Sequence, residues 1–126
     1  MSVLIDTSVW VDHFRNRNEV LVNLIQADLA LIHRLVLVEI ACGTPPAPRV
    51  RTLANIALLR PCQQANLDEV MNLIERERLY GLGCGFVDTA LLASTLITPG
   101  ARLWTLDKRL ADLAQRFRVA FHVNLH

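Results

Sequence analysis

The sequence is short of cysteine, of lysine and of any long apolar run. Its three cysteines, Cys42, Cys62 and Cys84, are odd in number, sit about twenty residues apart and form no C-x-x-C. That argues against a disulfide framework and a zinc site, and leaves three small hydrophobes for the interior. No apolar stretch approaches the roughly 18 to 20 residues that span a bilayer, and the N-terminus lacks the basic, apolar, small-residue order of a secretory signal. A cytoplasmic protein with no membrane contact is expected. His13, His33, His122 and His126 have no ligand spacing and read as surface or satisfied side chains. There is no G-x-S-x-G, and "GLGCG", Gly81 to Gly85, follows a helical segment and lacks the Lys-Ser/Thr of a P-loop.

Charge of one sign is also missing. Thirteen Lys and Arg stand against twelve Asp and Glu, a net +1, too little to hold nucleic acid by bulk charge alone. A phosphate partner therefore needs local arginines or a metal ion. Twelve of the thirteen cations are arginine, a side chain suited to bidentate phosphate contacts; GC-rich coding sequence accounts for the larger share of that bias.

What is present is a chain of 126 residues, 52% of them hydrophobic, enough for one core and one domain over 1–126. Short apolar runs at 3–5, 29–32, 58–59 continuing toward Cys62, 103–104 and 119–123 read as buried strands. Helical spacing fills the intervals: 8–14 continuing in a broken stripe toward Ile25, then 35–42 ending at Gly43, 49–57, 66–79, 88–97 and 107–117. Asn66 with Glu69 resembles a capping box, and Gly81 is the expected stop of that helix. Strands alternating with helices imply an α/β fold with a parallel sheet covered on both faces.

In such folds ligands gather beyond the carboxyl ends of the strands. Asp6 ends the first strand, Asp107 follows the fourth at 102–105, and Asp88 begins a helix able to face the same edge. Taken singly, each is a helix cap, worth about 1 kcal/mol over alanine. Asp6 exceeds that need, because Thr7 or Ser8 can cap the first helix and free its oxygens to face an ion. Glu39, inside "LVLVEIACG", is mid-helix and no cap at all. An ionised carboxylate among Leu35, Val36, Val38 and Ile40 is costly unless paired with a metal or with an arginine such as Arg34 or Arg60, and on the residue alone both remain open. Four acids at one edge favour the metal. Oxygen ligands without His or Cys suit Mg²⁺ or Mn²⁺, and such an ion supports hydrolysis of a phosphodiester by activated water.

With "VLIDTSVWVDHFR", "VEIACG", "GFVDTALLAST" and "LWTLDKRLADLA" in that order, nearly the whole chain resembles the PIN-domain ribonucleases, specifically the VapC-type toxins of toxin–antitoxin pairs. The resemblance implies a three-layer α/β/α sandwich with a central parallel sheet of strand order 3-2-1-4-5. It implies a Mg²⁺-dependent endoribonuclease with Asp6 and Asp88 as principal metal ligands. Glu39 and Asp107 complete the site directly or through water, and Thr105 supports the fourth acid. It further implies an RNA substrate, a homodimer and a cognate VapB-type antitoxin whose C-terminal segment lies across the active-site groove.

Two other uses of the fold are a PIN nuclease in RNA processing outside a toxin pair, and an inert PIN-like binding module, whose expected mark is the loss of one or more of the four acids. A phospho-accepting receiver domain fails, since "LLRPCQQA" carries no acid and the only lysine, Lys108, abuts Asp107. Arg15 and Arg17 are candidates for substrate phosphates or antitoxin carboxylates, with a solvated helix end as the commoner explanation. Trp10 and Trp104 lie in apolar segments and belong to the core. Cys84 has no cationic neighbour in sequence to activate it.

Overall fold

A computed structural model describes residues 1–123; His126 lies outside the described residues. The elements in chain order are β1 (Ser2–Ile5), α1 (Thr7–Arg15), α2 (Glu19–Gln26), β2 (Ala30–Ile32), α3 (Arg34–Cys42), α4 (Arg49–Ala57), β3 (Arg60–Pro61), α5 (Leu67–Glu77), α6 (Phe86–Ile97), β4 (Ala101–Trp104) and α7 (Lys108–Arg116). All strand pairs are parallel, in the order β3-β2-β1-β4. Val3, Leu4 and Ile5 are all 0% exposed, and successive strand residues point to opposite faces, so helices cover the sheet on both sides.

The fifth strand expected at 119–123 shrinks to one parallel bridge between Leu103 and Ala120. Leu103 donates to the Val119 carbonyl and accepts from the Phe121 N–H, which places Ala120 beyond β4 in the fifth position without extending the ladder. At the other edge, Pro61 has no N–H to give, and β3 is only two residues long.

The expected helix running on toward Ile25 is two helices. Asn18 Oδ1 accepts the Leu21 N–H and starts α2, while the Asn18 N–H donates to His13 Nδ1. The Asn66–Glu69 capping box is present in full. Gly81 does not stop α5: Arg78, at φ 55°, ends it three residues earlier. Trp10 and Trp104 are buried, as is Cys62, whereas Cys42 is exposed and Cys84 half-buried. Cys42 ends α3, where Arg49 reaches over to donate to the Ala41 and Gly43 carbonyls, so it faces solvent instead of the interior.

Strands β1, β2 and β4 and helices α1 to α4 share one core with Leu91, Leu110 and Ala114. Val70 and Leu73 of α5 build a second with Leu92 of α6 and Leu113 of α7. Helix α6, buried continuously from Thr89 to Thr95, joins the two and fixes its first turn, with Asp88, against the sheet.

Candidate active site

Asp6 follows directly on β1, and its N–H donates to the Trp104 carbonyl at the end of β4, 2.9 Å away. That ladder bond sets the chain after β1 beside the chain after β4. Asp6 is buried, 6% exposed, and its Oδ2 receives two hydroxyl hydrogens, from Ser8 Oγ and Thr105 Oγ1, each at 2.7 Å. Both hydroxyls are fixed from behind: the Leu106 N–H donates to Ser8 Oγ and the Asp107 N–H to Thr105 Oγ1. With both hydrogens spent on Oδ2, the 3.3 Å approach of Ser8 to Thr105 has no proton of its own. Asp6 Oδ1 has no hydrogen-bond partner among the described residues.

Asp6 occupies the N-cap position of α1 but makes no side-chain cap. Thr7 and Ser8 do not cap the helix either, contrary to the expectation. They are its first two residues, and their hydroxyls turn outward to carboxylates, Ser8 to Asp6 and Thr7 Oγ1 to Glu39 Oε1 at 2.6 Å. Glu39 is exposed, so the desolvation argued for it from its apolar neighbours does not act. Of those neighbours Val36 and Ile40 are buried, but Val38 is exposed beside Glu39. Neither Arg34 nor Arg60 pairs with it; Arg60 is joined to Asp28.

Asp107 is both cap and site residue: Oδ1 accepts the Leu110 N–H at 3.1 Å and starts α7. Asp88 lies in the first turn of α6. Burial pushes its carboxyl above the usual carboxylate range, the negative charges of Asp6, Asp107 and Glu39 push it further, and a hydrogen bond from the Gly85 backbone opposes them. The charges of Asp6, Asp107 and Glu39 are thus all felt at Asp88.

The PIN-domain family matches residues 3–116. The chain belongs to the PIN-domain family. Two relatives, Ribonuclease VapC32 of Mycobacterium tuberculosis from strains CDC 1551 / Oshkosh and ATCC 25618 / H37Rv, are each 44% identical to it over 108 residues, 86% of this chain and 86% of theirs. PIN-domain ribonucleases in general depend on a divalent metal.

This PIN domain offers such an ion carboxylate oxygens. Burial first, then Asp88 and Asp107, push the Cys84 thiol up, with Arg109 opposing. Among the described residues no three His, Cys, Asp or Glu side chains are grouped so as to hold a metal ion between them. Mg²⁺ does not require such a group, because it retains several waters and takes one or two carboxylates directly. The donor set fits a hydrated hard cation and not zinc.

Thr7 and Glu39 also line an open groove of about 510 Å³ between α1 and α3, which runs on to Arg15 and the 44–46 segment. Thr44, Pro45 and Pro46 form one wall of that groove. His13 is occupied by the Asn18 N–H. His33 is buried; Nδ1 accepts the Leu35 N–H to cap α3, and Nε2 meets Ser94 Oγ at 3.0 Å. No feature of the sequence announced that contact, because its partners lie 61 residues apart.

Proposed function

We propose that this chain, as one PIN domain over 1–126, is a metal-dependent endoribonuclease and the toxin of a toxin–antitoxin pair. The observation that carries the reading is the gathering of Asp6, Glu39, Asp88 and Asp107, with hydroxyls oriented onto two of them. Asp6 and Asp88 hold Mg²⁺, or Mn²⁺ in its place, and Glu39 and Asp107 complete the shell directly or through water. When bound, the cation supplies a Lewis acid for the phosphodiester and lowers the pKa of water in its shell.

The residues prepare that chemistry. Ser8 and Thr105 saturate one oxygen of Asp6 and leave the other free for the ion. Thr7 holds Glu39 at the groove mouth. Asp88, raised by burial and by its neighbours' charge, gains most from a cation's arrival, since the same charges that disfavour its ionised form also draw the ion in. Setting the four site acids aside leaves eight acidic residues against thirteen basic ones, an excess of five cations outside the site and favourable to a polyanion. The relatives' name, Ribonuclease VapC32, supports RNA as the substrate. The same likeness supports a cytoplasmic setting, a homodimer, and neutralisation by a VapB-type antitoxin seated across the groove.

The test is purified chain, free of antitoxin, incubated with total RNA in Mg²⁺ and in excess chelator. Fragments that form with Mg²⁺ and cease with chelator support the reading. Intact RNA in both, or cleavage indifferent to chelator, contradicts it.

A further inference from the structure

The groove between α1 and α3 is continuous with the acidic site, because Thr7 and Glu39 belong to both. Val11, Phe14 and Ile40 give it an apolar floor, Pro45 and Pro46 face them, and Arg15 is the one cation of the lining. Arg17, two residues on, is paired with Glu19 at 2.7 Å. Arg15, by contrast, makes no ion pair among the described residues and is exposed. It is a guanidinium with free donors on the wall of a slot that Glu39 also lines.

Thr7 and Arg15 lie at the two ends of α1, about 12 Å apart by helical rise. A strand whose cleaved bond lies over the acids must leave the site by some path, and this groove is one that starts at Glu39. Its volume lies in the range of roughly 300 to 1,000 Å³ typical of ligand sites. Its chemistry, an apolar surface beside one cation, matches a nucleotide: the base lies on the floor and the phosphate on the guanidinium.

We propose that Arg15 binds a phosphate of the substrate RNA flanking the cleaved bond, with the neighbouring base on the apolar floor of the α1–α3 groove. Arg15 is in this account a positioning residue, which fixes how the strand is laid across the acids. The inference rests on the ribonuclease reading and adds to it which flank of the site the RNA occupies.

The test measures binding without turnover, in the Asp6→Asn background with chelator present. A short fluorescein-labelled single-stranded RNA of mixed sequence is titrated by anisotropy at several salt concentrations, with Arg15 intact, Arg15→Gln and Arg15→Lys. Arg15→Gln is expected to weaken binding about tenfold, the scale of one charge-assisted contact. It is also expected to make the slope of log affinity against log salt shallower by about 0.7, one phosphate contact on a single strand. Arg15→Lys restores the slope and part of the affinity. Unchanged affinity and slope in Arg15→Gln overturn the inference, including where the same change weakens binding of the antitoxin, since the contact then serves a protein. Absence of RNA binding with Arg15 intact, like binding indifferent to Arg15, overturns this inference alone; the ribonuclease reading fails instead where the parent chain does not cleave RNA in Mg²⁺.

Discussion

Thr105 Oγ1 donates a 2.7 Å hydrogen bond to Asp6 Oδ2 across 99 positions of sequence. The bond follows from strand order: β1 and β4 are parallel neighbours with Ile5 opposite Trp104, so the residues after each strand meet. Thr105 also accepts the Asp107 N–H, which ties the second acid of this edge to the first. Thr105→Val removes both contacts and should lower RNA cleavage or raise the Mg²⁺ concentration needed for it about 10- to 100-fold, as loss of a group orienting a metal ligand does. Thr105→Ser, which keeps the hydroxyl, should recover most of the loss. Metal titrations of cleavage rate check this.

Asp88 links function to stability. Its carboxyl is raised above 3.8, first by burial and then by Asp6 and Asp107. A raised folded value means that the contribution to stability is present below about pH 3.8 and is lost as pH rises through the folded pKa. Without metal at neutral pH, Asp88→Asn should therefore melt at a higher temperature than the parent, and the difference should vanish in acid. Millimolar Mg²⁺ should raise the parent's Tm more than the variant's. Thermal melts with and without metal, at two pH values, read both effects; a variant that melts lower in every condition opposes the account.

Glu39 separates the site from the core. Because it is exposed and, among the described residues, bonded only to Thr7, Glu39→Gln should change folding stability by no more than about 0.5 kcal/mol while reducing cleavage. Denaturant unfolding beside an RNA assay measures the two together.

His33 predicts an acid-side loss of stability. Burial lowers its pKa from 6.5, so the unfolded chain binds the proton first, and stability falls as pH drops from about 6.5 through the folded value. His33→Ala should lose about 1 kcal/mol with the α3 cap and show a weaker decline below pH 6.5. Urea unfolding at neutral and mildly acidic pH checks the slope.

Asp6, Asp88 and Asp107 were legible in the sequence because each stands where an apolar strand or a loop gives way to a helix, and parallel α/β topology sends those junctions to one edge. Glu39 was singled out for a reason that does not hold. Its apolar neighbours suggested burial, but apolar neighbours in sequence do not fix exposure: Val38 is in solvent too, while Val36 and Ile40 are buried. The hydroxyls of Thr7 and Ser8 were read as caps, since capping is a local habit of those residues, whereas Ser8 is engaged by the backbone of Leu106, 98 positions away. The fifth strand was overestimated because an apolar run does not reveal that only one residue of it pairs with Leu103. The α1–α3 groove depends on how two helices and a proline turn pack, which no single stretch of sequence encodes.

The central claim is that the acidic cluster, through a divalent cation, cleaves RNA. The most direct measurement is the initial rate of cleavage of a defined single-stranded RNA by the parent and by Asp6→Asn, each confirmed folded by circular dichroism, across a Mg²⁺ titration with a chelator control. Loss of a ligand to the ion should lower the rate on the order of a hundredfold or more, with no rescue at high Mg²⁺ and no cleavage by the parent in chelator. Undiminished cleavage by Asp6→Asn, or cleavage by the parent that persists in excess chelator, would contradict the account.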